Sequence, residues 1–214
     1  MRIWVALLAL WLTCAAAAAP VLPGVAELAA GPEALALISA AEAQVGVTTR
    51  YDGAYVALAF PGGDIAPERG VCSDVVIRAL RAGLGIDLQL AVNRDMKADF
   101  AAYPANWGLR APDRNIDHRR VPNLEALLRR VGAELPLGSA TDAFLPGDIV
   151  TSRLPGNLPH IMIVTARAGP GGVPLVAHNI GAGARVEDAL LTYPLTAHFR
   201  LSSEVLARLR MLGR

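Results

Sequence analysis

The chain has 214 residues, a formal net charge of +1, 53% hydrophobic residues and 5% aromatics. Near-balanced charge without a basic patch or an acidic tail excludes nucleic acid as the main partner. Few aromatic side chains argue against a sugar-stacking surface, and the length suits one domain with its own core.

Met1–Arg2, the apolar run Ile3 to Leu12 and the small residues Ala15 to Ala19 read as a secretory signal peptide over residues 1–19. The run is shorter than the ~20 apolar residues that span a bilayer, and no second run of that length follows. The expected protein is therefore periplasmic or secreted, with no membrane span after signal cleavage. A lipoprotein anchored through Cys14 is the alternative, for which Trp11 and Thr13 are poor neighbours. Residues 20–32 read as a linker and residues 33–214 as a single α+β domain. Signal removal takes Cys14 with it and leaves Cys72 as the only thiol.

Pro32 opens a helix with Leu35, Ile38, Ala41 and Val45 at helical spacing, ended by Gly46. Residues 47–70 read as a long loop. A helix follows from Cys72 to Ala82, with Val76, Ala79 and Leu80 inward and Gly83 as its stop. Asp87 caps a helix carrying Val92, Met96 and Phe100, residues 103–122 are irregular, and Asn123 caps a helix with Leu124, Leu127, Leu128 and Val131. Pro146-Gly147-Asp148 turns into a strand at Ile149, His160 to Val164 is a buried strand, and Gly169 to Gly172 turns into a returning strand from Pro174 to His178. More strand is expected near 195–201, and Ser202 or Ser203 caps a final helix. Helices first and an antiparallel sheet second make an α+β fold.

Cys72 stands where a loop enters a helix, and the N–H groups of a helix start favour a thiolate. If the strands bearing His160 and His178 turn about Gly169, Val164 faces Pro174 and His160 faces His178, both on one face. A slip of one residue would separate them. This spacing makes His160 the base for Cys72 and His178 the group that orients His160. Either histidine could instead be a structural strand residue, and Cys72 a buried inert one. A metal site from Asp117, His118, His160 and His178 is a competing use, although the spacing follows no zinc pattern.

Several stretches resemble a bacterial exported family catalogued as domain of unknown function 1287. They are Tyr51-Asp52-Gly53-Ala54-Tyr55, Pro61-Gly62-Gly63-Asp64, Gly70-Val71-Cys72-Ser73-Asp74-Val75-Val76, Asn115 through Asn123, Pro159-His160-Ile161, and His178 through Gly183. The resemblance runs from about Ala34 to Leu201 and names no activity. At greater distance the order of residues is similar to the NlpC-type, papain-like cell-wall cysteine peptidases, with N-terminal helices packed on a small antiparallel sheet. Phe60 and Asp74 depart from that pattern, where a tyrosine and a glycine are usual.

The resemblance implies an exported thiol hydrolase without a cofactor, cleaving amide bonds in peptidoglycan stem peptides through Cys72, His160 and His178. Planar guanidinium groups hold carboxylates in pairs of bonds, so Arg119 and Arg120 are expected to grip substrate, with Asp117, His118 and Asn179 beside them. A solvated charged loop is the plainer reading of that segment. A non-catalytic wall-binding or scaffold protein on the same fold, and a metal-dependent hydrolase, are the alternatives.

Overall fold

The computed structural model describes residues 26–138 and 144–214. The expected signal peptide, Cys14 and the first residues of the linker lie outside them. Five helices occur among the described residues: α1 (Pro32–Glu42), α2 (Cys72–Leu84), α3 (Leu88–Ala98), α4 (Val121–Arg130) and α5 (Ser203–Leu212). None is long and apolar enough to cross a membrane.

Pro32 occupies the first turn of α1, where its missing N–H leaves nothing unpaired. Asp87 accepts the Gln89 N–H and caps α3, and Ser202 accepts the Val205 N–H and caps α5. The start of α4 differs from the expected one. The helix begins at Val121 behind Arg120, and Asn123 instead sends its side-chain N–H to the Asp117 carbonyl.

α2 runs past its expected stop. Gly83 lies inside the helix, and the left-handed residue that ends it is Gly85, at φ +65°. Gly83 serves a different end: a Cβ there would stand 2.6 Å from the Ala36 carbonyl oxygen. The missing side chain lets α1 and α2 cross in close contact.

The main sheet is antiparallel, in the order β4 (Glu134–Leu135), β9 (Leu195–Phe199), β5 (Ile149–Leu154), β6 (Leu158–Ala168), β7 (Pro174–Asn179) and β8 (Ala184–Glu187). β1 (Ala26–Glu27) pairs with Arg167 and Ala168 at the far end of β6, so the end of the expected linker is a piece of sheet. A separate parallel pair, β2 (Arg50–Tyr51) with β3 (Arg69–Gly70), forms inside the expected long loop. Ile149, Ile161, Ile163, Ala177 and Phe199 face the helices. Val150, Met162, Val164 and Val176 pack with Phe144 and Leu190 on the opposite face. Burial on both faces explains why the strand at His160 reads as an unbroken apolar run.

The β6–β7 register differs from the expected one by two residues. Val164 pairs with Val176, not Pro174, and Ile163 pairs with Ala177. The hairpin closes later, with the Gly169 N–H on the Val173 carbonyl at 2.9 Å, and a bulge between Val164 and Ala168 takes up part of the offset. A shift of two preserves the alternation of side chains, so His160 and His178 stay on one face and meet diagonally. Among the described residues the β6–β7 ladder stops at Ile163–Ala177, and the two strands fork before His160.

Candidate active site

The first turn of α2 enters this fork. Cys72 is its first residue, and the chain on both sides of the sulfur is tied down. Ahead of it, the Gly70 carbonyl accepts the Asn179 side-chain N–H at 3.0 Å. Behind it, Ser73 donates to the Arg119 carbonyl at 2.7 Å. Asp74 accepts the Val71 N–H at 2.7 Å and closes the helix start on itself. Both Asp74 oxygens also take the Arg119 guanidinium, each at 2.9 Å. The same guanidinium donates to the carbonyls of Asp52 at 2.9 Å and Ala54 at 3.1 Å. Asp74 therefore anchors α2 to the loop at residues 52–54 through Arg119.

Cys72 is 4% exposed. Burial pushes its thiol up to about 11, against the opposing pull of three main-chain N–H groups, those of Ile161, Ser73 and Cys72 itself. The expectation of a thiolate from the helix start is thus overturned by desolvation: the resting group is a neutral thiol. Tyr51 is half-exposed, and partial desolvation of its hydroxyl, then the neighbouring Cys72 and Asp74 groups, push it up to about 12.

The two histidines touch. His160 Nε2 lies 2.8 Å from His178 Nδ1, and the rings meet edge to face with centroids 5.0 Å apart. Burial, and then the neighbouring His178, push His160 down to about 3, so it is a neutral base at neutral pH. No hydrogen bond joins the sulfur to either histidine among the described residues. Of the three N–H groups that pull on the sulfur, that of Ile161 belongs to the residue after His160 on β6. Ser152 pairs with His160 across β5 and β6, and its buried hydroxyl has no hydrogen-bond partner.

A further group was missed in the sequence. Glu187 Oε1 lies 2.8 Å from His178 Nε2. In the β7–β8 ladder Arg185 opposes His178 and Glu187 opposes Val176, so Glu187 reaches the ring diagonally. Recognising it required β8, whose apolar alternation at Ala184 and Val186 is only four residues long.

The expected substrate loop has other work. Arg119 is buried and wholly committed to Asp74 and the two carbonyls. Arg120 pairs with Asp117 at 2.8 Å and lies over the Trp107 ring at 4.0 Å. Asp117 also accepts the Asp113 N–H and stays buried. His118 is buried with its Nδ1 unpartnered, and burial pushes it down to about 4. Asn179 holds Gly70 and accepts the Gly181 N–H. Arg119 and Asn179 therefore brace the chain around Cys72, while Arg120 and Asp117 are paired with each other. Nor do Asp117 and His118 join the histidine pair: among the described residues no three His, Cys, Asp or Glu side chains are grouped to hold a metal ion.

Stretches that carry the family resemblance also bond to one another and to their neighbours. Tyr55 hydrogen-bonds Asp113 and Asn115, the Leu58 N–H reaches Asn115, and Gly63 is held by Gln89. The family model described as domain of unknown function (DUF1287) matches residues 38–201. The chain is also 50% identical over 166 residues to the uncharacterized protein YijF of Escherichia coli strain K12, covering 78% of this chain and 80% of that protein.

Proposed function

The chain belongs to the DUF1287 family, and on that premise we propose that it is a thiol hydrolase that cleaves amide bonds, with peptidoglycan stem peptides outside the cytoplasmic membrane as its substrate. The observation that carries the reading is the His160–His178 contact of 2.8 Å on the strand whose next N–H meets the Cys72 sulfur. A helix-borne cysteine, a histidine on the first long strand and a second on the next is the order found in NlpC-type papain-like peptidases. We read the fold as a variant of theirs.

The chemistry starts from a neutral pair. As the Cys72 sulfur attacks the amide carbon, its proton passes to His160, and the sulfur–carbon bond forms. The protonated Tyr51 hydroxyl supplies a hydrogen bond to the carbonyl oxygen as it gains charge. His160 then gives its proton to the departing nitrogen, and the carbon–nitrogen bond breaks to leave a thioester. Water, deprotonated by His160, attacks the thioester and releases the carboxylic acid and the thiol. His178 holds the His160 ring in the orientation these transfers need.

The test is digestion of purified peptidoglycan by the protein lacking residues 1–19, without added metal. Wild type is expected to release new amino groups. Cys72→Ser and His160→Ala should each lose most of that activity, because members of one catalytic unit fail together. Identical product profiles for wild type and Cys72→Ser would show the reading to be wrong. The buried neutral thiol favours a second reading, a wall-binding protein without chemistry, and co-sedimentation with intact walls in the absence of products would support it.

A further inference from the structure

We infer that Glu187 is a positioning residue that fixes the tautomers of both site histidines and leaves His160 Nδ1 as the basic atom. The consequence for activity rests on the hydrolase reading; the proton arrangement does not. A carboxylate only accepts hydrogen bonds, so the 2.8 Å contact to Glu187 puts the His178 proton on Nε2. In the neutral form of the ring that is its one N–H, and His178 Nδ1 is then a bare lone pair that can only accept. Its 2.8 Å partner, His160 Nε2, must therefore carry the other proton. His160 is neutral, which leaves its Nδ1 without a proton and free to take one.

Without Glu187 the pair has a mirror arrangement, in which His178 donates to His160. That arrangement puts the proton on His160 Nδ1 and removes the base. The surrounding charges do not set this choice. On α2, Asp74 is bound to Arg119 and Arg78 to Asp64. On α1, Glu42 is bound to Arg167. Arg185, opposite His178 on β8, is exposed and can only donate. Ser152, opposite His160 on β5, holds a neutral hydroxyl. Glu187 is the carboxylate on the ring. Its side chain is 40% exposed, so it couples the buried pair to solvent at one edge of the sheet.

The experiment reads tautomers directly, from long-range proton–nitrogen correlation spectra of histidine-labelled protein near neutral pH. Wild type is expected to show both His160 and His178 as the Nε2–H form. Glu187→Ala should give mixed tautomers. Glu187→Lys replaces an acceptor with a donor and should shift both rings toward Nδ1–H. Wild-type tautomers retained in both variants, or Nδ1–H rings in wild type, overturn the inference. In the activity arm, Glu187→Ala should lower kcat/KM about tenfold or more, as wrong-tautomer variants of other triads do. Glu187→Gln should also move the acid limb of the pH–rate profile to lower pH, because removing a negative charge makes the pair harder to protonate. A variant that was merely less well folded would leave that limb in place. If the tautomers respond as stated but no protein digests peptidoglycan, the hydrolase reading fails and the role of Glu187 in the pair stands.

Discussion

Replacing Arg119 by alanine separates two roles that the same residue could play. As a substrate grip it would affect binding and spare the fold. In its observed place it bonds both oxygens of a carboxylate, with 3% of either side chain exposed. Alanine would leave Asp74 charged and unpaired inside the protein and would strip the Asp52 and Ala54 carbonyls of their donor. Removing one member of a buried pair costs about 3–5 kcal/mol. In a domain of this size each kcal/mol is worth about 2–4 °C of Tm, so a fall of roughly 10 °C is expected. Because Asp74 also closes the start of α2, the loss should come with faster alkylation of Cys72. The assay is thermal and urea unfolding of wild type, Arg119→Ala, Asp74→Leu and the Arg119→Met/Asp74→Leu double variant. The double variant should be less destabilised than the sum of its singles, since it leaves no lone buried charge. A Tm within about 1 °C of wild type for Arg119→Ala, far inside the shift expected from the lost pair, would refute this reasoning and return Arg119 to the substrate.

Two further outcomes follow from burial. The rate of iodoacetamide alkylation at Cys72 should keep rising beyond pH 9, toward its raised value of about 11, and a plateau near neutrality would contradict the neutral thiol. His118 and His160 are held down at about 4 and about 3 in the folded chain, against 6.5 when unfolded. The unfolded state therefore binds more protons below 6.5, and stability present above that value is lost as the pH falls. The slope is up to about 1.4 kcal/mol per pH unit for each group. Urea midpoints that do not move between about pH 6.5 and 5 would contradict it.

The shared face of the two histidines was legible because alternation along a strand is a property of the sequence. The register was off by two, and the site survived the error because a shift of two keeps side chains on their face. Other features were written in partners that lie far along the chain. Arg119 looks like a grip for carboxylates until Asp74 is seen to be the carboxylate it holds. Gly83 looks like a helix stop, and only the Ala36 backbone opposite explains it otherwise. The helix start at Cys72 could be read and its electrostatic pull inferred. The burial that outweighs that pull depends on strands β6 and β7, and no local pattern reports it. Glu187 was hidden for a similar reason: the alternation of Ala184 and Val186 is only four residues long, and the ladder with β7 that brings Glu187 to His178 is not a local pattern.

Beyond the last paired residues of β6 and β7, the Ile161 main-chain N–H acts on the Cys72 sulfur. The Ile161 N–H of β6 is one of three main-chain N–H groups that pull on the sulfur, so Cys72 also belongs to the framework. The usual inactive control, Cys72→Ala, would thus remove more than reactivity. It would leave a buried N–H without an acceptor, at a cost of about 1–3 kcal/mol. Serine retains an oxygen at that point while lacking the soft, polarizable sulfur. A comparison of the two variants therefore weighs the architectural duty of the sulfur against its chemical one. Alanine tests whether the protein needs the atom, and serine whether it needs the element.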